Sequence, residues 1–224
     1  AAWLGNGQIE VVDATIRAVD DGASLEATIP PTLPPLIERE LHTLDDEELA
    51  VLEACAVAGD SFAAATVAAA LDRPTTETED MLATLARRRG LIGATGAAGW
   101  PDGTVSATYA FTQQLFHEVI YERIPAGHRT LLHGRVGEAL ETGHGPRAGE
   151  LALVLADHFR QAGELLRAAR HTAVAGEPAT PRNAPTHAVT IRTDALDTIA
   201  VLAPTAERDA AELQIRMALG PALV

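Results

Sequence analysis

Hydrophobic and polar residues follow two different rhythms along the chain. The stretch "QIEVVDATIRAVDD", residues 8–21, alternates over short distances and is rich in β-branched residues, which favours one or two strands. The proline-rich run "IPPTLPP" then interrupts this pattern. From there on, apolar residues recur at helical spacing, beginning with Leu36, Ile37 and Leu41 on one face. The pattern therefore predicts a small β element followed by helices.

Three helices are predicted in the next part of the chain. Residues 45–59 have an acidic first turn, which suits the positive end of a helix, and Gly59 is expected to form a left-handed cap at its other end. A short alanine-rich helix is predicted to start at Ser61. The third helix carries Thr76 and Glu79 at the spacing of a capping box.

A β-hairpin is predicted after these helices. Gly90 is expected to end the third helix, and glycine-rich turns then separate two β-compatible runs, Leu91–Ile92 and Val105–Phe111. The glycines of "GATGAAG" precede a second strand rather than a helix, so they lack the helix end that would hold a phosphate. Several short helices followed by a hairpin are the pattern of a winged helix.

Beyond Phe111 the pattern is helical to Val224. Short connections predict antiparallel helical hairpins stacked side by side. Pro178, Pro181 and Pro185 forbid a continuous helix, because each lacks an amide donor and crowds the preceding turn. The fold class is therefore mainly α. The predicted apolar faces are formed by Phe116, Val119 and Ile120; by Leu132, Val136 and Leu140; by Leu151, Leu155 and Phe159; and by Leu196, Ile199 and Leu202.

Composition narrows the classes of function. The 224 residues are 47% hydrophobic, which is ample for a folded core. Acidic residues outnumber basic ones 31 to 17, and the net charge of −14 disfavours binding to a phosphate backbone. All the basic residues are arginine, which excludes Schiff-base chemistry and a phosphate-loop lysine. Cys55 is the only cysteine, so we expect no disulfide and a reducing, cytoplasmic setting.

No apolar run approaches the roughly 20 residues of a membrane-spanning helix, and the start "AAWLGNGQIE" lacks an export signal. Because the sequence has no initiator methionine, we expect it to be a piece of a longer protein. Chemistry performed by the whole protein is then expected to lie elsewhere.

The residues that could carry chemistry do not form a recognisable site. His117 and Glu118 begin like a zinc-protease helix, but Tyr121 stands where the second imidazole is required. His128 and His133 are five residues apart, which places them on different sides of a helix. Neither a phosphate-loop motif nor a G-x-S-x-G motif occurs. We therefore predict no catalytic, cofactor-binding or metal-binding residue in this chain.

Charged clusters have simple structural interpretations. The triplet Arg87–Arg89 lies where a winged helix would read DNA, but cations at a helix C-terminus also complement its dipole and pair with acidic groups. The second interpretation is favoured in so acidic a chain. The carboxylates of "DDEE" and "ETED" stand at helix starts, where capping is their common role.

The order of four stretches resembles a known family: "IPPTLPPLIERELHTLDDEELAVLEACAVAGDSFAAATVAAAL", "LARRRGLI", "YAFTQQLFHEVIYERIPAGHRTLLHGRVGEALE" and "ELALVLADHFRQAG". It is similar to the segment that follows the nucleotide-binding module in bacterial STAND-type regulatory AAA ATPases. The resemblance covers Ile29–Val224 and is most specific over Phe111–Glu141. It implies the tail of the preceding ATPase module at 1–30, a winged-helix-like domain at 31–111 and tetratricopeptide-like helical repeats at 112–224.

The resemblance also implies a function. Proteins of this family typically carry an N-terminal effector, either a class III adenylate or guanylate cyclase or a helix-turn-helix transcription factor. ATP and Mg²⁺ are expected in the upstream nucleotide-binding module, which is this segment's expected partner in cis. The segment itself would be a sensor and relay arm without catalysis, whose repeats bind a protein or a small ligand. One departure concerns residues 176–185, where prolines replace the family's smooth repeat helix.

The aromatic and histidine-rich block is then expected to be a packed joint between the winged helix and the first repeat helices. Rings would fill the space between the units, and histidines would bond to backbone or carboxylate groups. The residues expected at this inter-domain packing site are Phe111, Phe116, His117, Tyr121, His133 and Leu140.

Two other classes of function stay open. A DNA-binding winged-helix regulator with a helical sensing half would need a basic recognition helix, yet "TTETEDMLATLARRRG" is acidic over most of its length. A stand-alone helical hydrolase would need a nucleophile and a base that converge, and the sequence indicates none.

Overall fold

The computed structural model describes residues 9–12, 15–18, 33–175 and 193–219. Contacts divide the chain into two compact units, Ala1–Pro35 and Leu36–Val224, each described by itself. The described elements are mainly helical and include a small three-stranded antiparallel sheet. The prediction of a mainly α fold with a small β-hairpin is therefore confirmed at this level.

The first unit contains a short hairpin of β1 (Ile9–Val12) and β2 (Thr15–Ala18). The strands are antiparallel, with Ile9 opposite Ala18 and Val12 opposite Thr15. The prediction of strands in this part of the sequence is confirmed.

The second unit begins within α1 and is built around one three-stranded sheet. A short 3₁₀ helix, Gly145–Leu151, precedes α7. The elements are α1 (Leu33–Leu41), α2 (Asp46–Ala58), β3 (Ser61–Ala63), α3 (Ala64–Leu71), α4 (Thr75–Arg89), β4 (Ile92–Gly99), β5 (Val105–Phe111), α5 (Gln114–Arg123), α6 (Ala126–His144), α7 (Ala152–Gln161), α8 (Leu165–Ala175), α9 (193–200) and α10 (Ala206–Leu219).

Local sequence explains where α2 and α4 begin and end. The Asp45 side chain accepts a hydrogen bond from Glu48 N–H at 2.8 Å, and the Glu48 carboxylate accepts one from Asp45 N–H at 3.3 Å, which completes a capping box. Gly90 ends α4 with φ of 65°, a left-handed conformation that glycine adopts without strain. Gly59 ends α2, and its N–H donates to the Cys55 carbonyl, but the left-handed cap predicted there is wrong because its φ of 120° and ψ of −174° lie outside the left-handed helical region.

The capping box predicted for Thr76 and Glu79 is wrong. Pro74 occupies the N-cap of α4, where no side chain caps the helix. The Glu79 carboxylate instead accepts hydrogen bonds from Ala107 N–H at 2.9 Å and from the Ser106 hydroxyl at 3.2 Å. Both donors lie on β5, far from Glu79 in the sequence. The Glu79 side chain therefore bonds to the sheet instead of capping its own helix, as local spacing had predicted.

The helix predicted to start at Ser61 starts three residues later. Residues Ser61–Ala63 form β3, which pairs with β5 so that Ser61 lies opposite Ala110. The sheet has the order β3–β5–β4 with antiparallel neighbours. Pairing with β5 satisfies the backbone of this stretch and overrides the helix preference of its alanines.

Strand β4 also extends further than predicted, because most of the glycine-rich stretch pairs with β5. The register shifts between Ala94 and Gly96, where Gly96 has φ of 146°. This irregular step is a β-bulge at the edge of the sheet.

Three apolar clusters stabilise the second unit. The main core joins α1–α6 and the sheet, with Leu52, Leu82 and Leu132 among its buried side chains. The second cluster is Ala148, Leu155, Phe159 and Ala168, and the third is Ala169, Ala195, Ile199 and Ile215. The cores therefore follow one another along the chain.

Consecutive helices pack side by side after the sheet. α6 packs on α7, and α7 on α8. Only three residues connect α7 to α8, so the chain must reverse between them, as the predicted helical hairpins require. The prolines at 178, 181 and 185 lie outside the described residues. In the described ranges, no helix is long and apolar enough to cross a membrane.

Candidate functional site

A continuous series of ring contacts, called here the ring chain, runs from the sheet to α7. The ring of Phe111, at the end of β5, lies 5.4 Å from that of His117 on α5, measured between centroids. His117 and Tyr121 are 5.9 Å apart, and Tyr121 is 5.9 Å from His133 on α6. His133 is 5.1 Å from His158 on α7. The ring chain thus contains four of the six predicted packing residues and one further residue, His158.

Helical spacing aligns the middle of the ring chain. His117 and Tyr121 are four residues apart, so they share one face of α5. The Nε2 of His117 lies 2.8 Å from the Ala56 carbonyl oxygen, near the end of α2, and its Nδ1 lies 3.1 Å from a carboxylate oxygen of Asp60. Backbone and carboxylate groups therefore both hold this ring, and they fix its orientation between α2 and α5.

The other end of the ring chain is a series of hydrogen bonds. The Tyr121 hydroxyl lies 2.9 Å from His133 Nε2, and the Nδ1 atoms of His133 and His158 are also 2.9 Å apart. Only 4% of His133 and 6% of His158 are exposed. Because a hydrogen bond between two ring nitrogens needs one proton and one lone pair, the two histidines share a single proton at this contact.

Burial keeps the two histidines neutral near pH 7. Burial and the neighbouring His158 together lower the pKa of His133 to about 4. Burial likewise lowers the pKa of His158. It raises the pKa of Tyr121, so the hydroxyl also keeps its proton. The three side chains therefore form a neutral hydrogen-bonded series that can be polarised in either direction, but they place no charged nucleophile or general acid at the surface.

The other two predicted packing residues lie outside the ring chain. Phe116 packs against the main core from α5. Leu140, on α6, packs against both the main core and the second cluster. α6 therefore contributes to two successive cores, and Leu140 lies where they meet.

A glycine lets α6 and α7 approach closely. A Cβ atom on Gly137 would lie 2.9 Å from Cε1 of Phe159, closer than side-chain carbons pack. The guanidinium of Arg167 lies 3.8 Å from the centroid of the Phe159 ring, and it pairs with Glu141 and with Glu164. The Phe159 ring thus packs close to a glycine of α6 and contacts a paired cation on α8.

The tip of the β4–β5 hairpin is attached to the end of α6. The Trp100 ring covers Gly143 so closely that an added Cβ would lie 2.1 Å from it, and it also lies 5.5 Å from the His144 ring. The Asp102 N–H donates a hydrogen bond of 3.2 Å to the Gly143 carbonyl. The hairpin tip is therefore packed against the helical part of the unit.

The arginine triplet at the end of α4 is partly occupied by acidic partners. Arg89 pairs with Glu48 at 2.9 Å and with Glu40 at 3.8 Å, and it donates to the Thr43 carbonyl at 3.2 Å. The groove between α2 and α4 is lined mainly by carboxylates, together with Arg88. This face of α4 carries a mixture of charges that does not favour a polyanion.

Other candidate groups are isolated from each other. His128 lies 3.6 Å from Glu53, away from the ring chain. Cys55 is fully buried, and burial raises the pKa of its thiol, so it is not poised as a thiolate. Within the described part of the chain, no group of three or more histidine, cysteine or carboxylate side chains could hold a metal ion.

Sequence reasoning missed His158 and Trp100. His133 and His158 are 25 residues apart on different helices, so no spacing rule joins them. Trp100 offered a signal, because a large aromatic residue in a turn of glycine, proline and aspartate needs a surface to cover. Its partner, Gly143, has no side chain and could be found only from the fold.

Comparisons of this chain with family models, with curated proteins and with solved structures return no match.

Proposed function

We propose that the chain is a non-catalytic regulatory and protein-interaction segment of a bacterial signal-transduction ATPase. In this proposal, residues 31–111 form a winged-helix-like domain and residues 112–224 form tetratricopeptide-like repeats. Together they couple the nucleotide state of an upstream module to an effector domain, either a class III cyclase or a helix-turn-helix factor. ATP and Mg²⁺ bind the upstream module, and the protein works in the cytoplasm.

The observation that carries the proposal is the continuous packing between the sheet and the helices after it. The ring chain extends from β5 to α7, Leu140 belongs to two cores, and Trp100 fastens the hairpin tip to α6. Packed interfaces transmit displacement because their side chains interdigitate and resist compression. A shift of the sheet would therefore be passed to α6 and α7 instead of being absorbed by a flexible linker.

The groups at this joint support a role without catalysis. The buried histidines are neutral, and Tyr121 keeps its proton. The ring chain lacks a charged nucleophile and base within hydrogen-bond reach of each other, as nucleophilic catalysis requires. Its partners would be the upstream module in cis and a protein or small ligand on the helices.

The second candidate is a DNA-binding winged-helix regulator with a helical sensing half. The triplet Arg87–Arg89 favours it, since cations at a helix end can contact phosphates. Two observations weigh against it. Arg89 is engaged by Glu48 and Glu40, and the hairpin tip that would approach DNA is packed on Gly143.

The first test is the coding sequence upstream of Ala1. A phosphate loop and an acidic Walker B strand in the same reading frame are expected. An unrelated domain there would overturn the proposal.

The second test distinguishes the two candidates. Fluorescence anisotropy with labelled duplex DNA at physiological salt should show no sequence preference, because the net charge of −14 opposes binding. The double variant Arg87→Gln/Arg88→Gln should behave like the unchanged chain. Sequence-selective binding that this double variant abolishes would establish the DNA-binding candidate instead.

A further inference from the structure

An open groove lies beside the ring chain, where the end of α2 faces α5, α6 and α7. Its volume is about 1040 Å³, including the part open to solvent. Tyr121 and His158 are among its polar lining groups. Leu153 and Val154 on α7 add an apolar wall, and these side chains are 59% and 46% exposed. A concave surface with an apolar wall and a few convergent polar groups is the usual form of a small-ligand site.

One ring nitrogen of His158 is available to a ligand in this groove. His158 is nine-tenths buried and uses its Nδ1 to contact His133. Its Nε2 is not one of the buried side-chain atoms without a partner among the described residues, so this nitrogen is accessible from the groove that His158 lines. A ligand in the groove can take the place of solvent as the hydrogen-bond partner of this nitrogen.

The charge on the lining of the groove is negative. Among the described residues that line it, Asp157 is the one carboxylate, and no arginine is present. The end of α2 also lines the groove, and the C-terminal end of a helix carries partial negative charge. The nearby Arg160 pairs with Asp157 at 3.5 Å, and Arg129 lies over the Tyr121 ring at 4.9 Å, both outside the lining. His117 is engaged by Asp60 and the α2 backbone.

We propose that this groove binds a primary ammonium group carried on a short aliphatic stem. The ammonium group donates a hydrogen bond to His158 Nε2 and lies near Asp157 and the last carbonyls of α2. The stem packs on Leu153 and Val154. The ligand is either a free amine or the side chain of a lysine, which share this chemistry.

Binding would also set the direction of the hydrogen bonds along the ring chain. When Nε2 of His158 accepts a hydrogen bond from the ligand, the ring carries its single proton on Nδ1, and Nδ1–H donates a hydrogen bond to His133 Nδ1. His133 then donates from Nε2 to the Tyr121 oxygen, and Tyr121 donates to solvent. In the opposite arrangement every donor and acceptor is exchanged. When the opposite arrangement changes into the ligand-bound one, His158 Nε2 releases one proton to solvent and the Tyr121 oxygen takes one proton from solvent. The total number of protons on the three side chains is therefore unchanged.

This inference deepens the proposed function by naming what the helical part binds, and it rests on that function only for any effect beyond this chain. Binding is therefore tested on the chain alone, without nucleotide. Failure of the binding test leaves the relay proposal standing, and an unrelated upstream domain would leave the groove's ligand unaffected.

The experiment is a titration of the ¹⁵N-histidine-labelled chain, followed by long-range ¹H–¹⁵N spectra that distinguish the two tautomers of each ring. The probe is n-butylammonium, and n-butanol and butyrate are matched neutral and anionic controls. A saturable shift of the His158 nitrogens is expected with a Kd of about 1 mM, typical of so small a ligand. His133 should move toward its Nε2–H tautomer in step with it. His133→Gln and His158→Gln assign the signals.

Two variants test the contacts. Asp157→Asn changes a side chain that is 56% exposed, so the fold is expected to persist, and binding of n-butylammonium should weaken about threefold to tenfold. Tyr121→Phe removes the acceptor for His133 Nε2–H, so the His133 tautomer should no longer follow the titration. A purely structural tyrosine would not alter that readout.

A third arm identifies the source of the ammonium group. Tighter binding of Nα-acetyl-lysine methylamide than of n-butylammonium would indicate a lysine side chain, and weaker binding would indicate a free amine. Equal shifts with n-butanol, or no saturable change at His158 with any ammonium probe, would overturn the proposal.

Discussion

Lowering the pH should destabilise the fold through His133. Burial and the neighbouring His158 hold the pKa of His133 at about 4 in the folded chain. An unfolded histidine titrates near pH ~6.5. Between these values the unfolded chain binds a proton that the folded chain does not. The folded state therefore keeps its full stability above about pH 6.5 and loses stability as the pH falls toward 4.

The size of the effect follows from the two pKa values. Linkage gives a loss of about 2 kcal/mol between pH 7 and pH 5, rising to about 3 kcal/mol at pH 4. His133 is only 4% exposed, so solvent screens this term weakly. His158 also has a lowered pKa, but the two rings share one proton and their contributions cannot be summed independently.

Urea unfolding at several pH values between 7 and 5 measures this loss. Between pH 7 and pH 5, the unfolding free energy of His133→Gln should fall by about 2 kcal/mol less than that of the unchanged chain. The reason is that the variant lacks the histidine that titrates. Tyr121→Phe is the matched control from the same contact. It should be less stable by about 1 kcal/mol at pH 7, since His133 loses a partner, but it should keep the pH dependence. Parallel curves for the unchanged chain and His133→Gln would show that His133 does not cause the loss of stability at low pH.

Three further substitutions test the packing. Gly137→Ala should lower the unfolding free energy by about 1–3 kcal/mol, because its Cβ would meet the Phe159 ring at 2.9 Å; thermal unfolding measures this, and an unchanged melting temperature would contradict it. Gly143→Ala should displace Trp100 and shift its fluorescence to longer wavelength. The spectrum is measured in a chain whose other tryptophan is replaced by phenylalanine. An unshifted spectrum would show that the hairpin tip does not pack on Gly143. Ser106→Ala should cost about 1–3 kcal/mol in urea unfolding, because a buried N–H at the start of α3 loses its acceptor, and a cost near zero would mean that another acceptor replaces it.

The sequence alone is sufficient to predict those helices and strands whose capping residues, turns and apolar periodicity all indicate the same element. The acidic first turn at Asp45 and the left-handed cap at Gly90 lie at the ends of α2 and α4 as expected. The hairpin ending at Phe111 was expected too, since β-branched and aromatic residues bounded by glycine turns favour paired strands. These features depend on neighbours in sequence.

Features that depend on distant partners were not predictable. Ser61–Ala63 forms a strand because β5 offers its edge, although its alanine-rich surroundings favour helix. Glu79 bonds to β5 instead of capping its own helix. In the candidate site, the sequence indicated the ring-rich block, but not that His158 from α7 would complete it, because nothing local relates two histidines on separate helices.

The bulge in β4 has a consequence for how the protein behaves at high concentration. β4 is an outer strand of the sheet, and a long regular outer strand presents a ladder of unpaired amides and carbonyls on which a second molecule can assemble. The step between Ala94 and Gly96 interrupts that ladder, because a bulge inserts an extra residue and bends the strand. A second molecule therefore meets only short, irregular stretches of this outer strand to pair with.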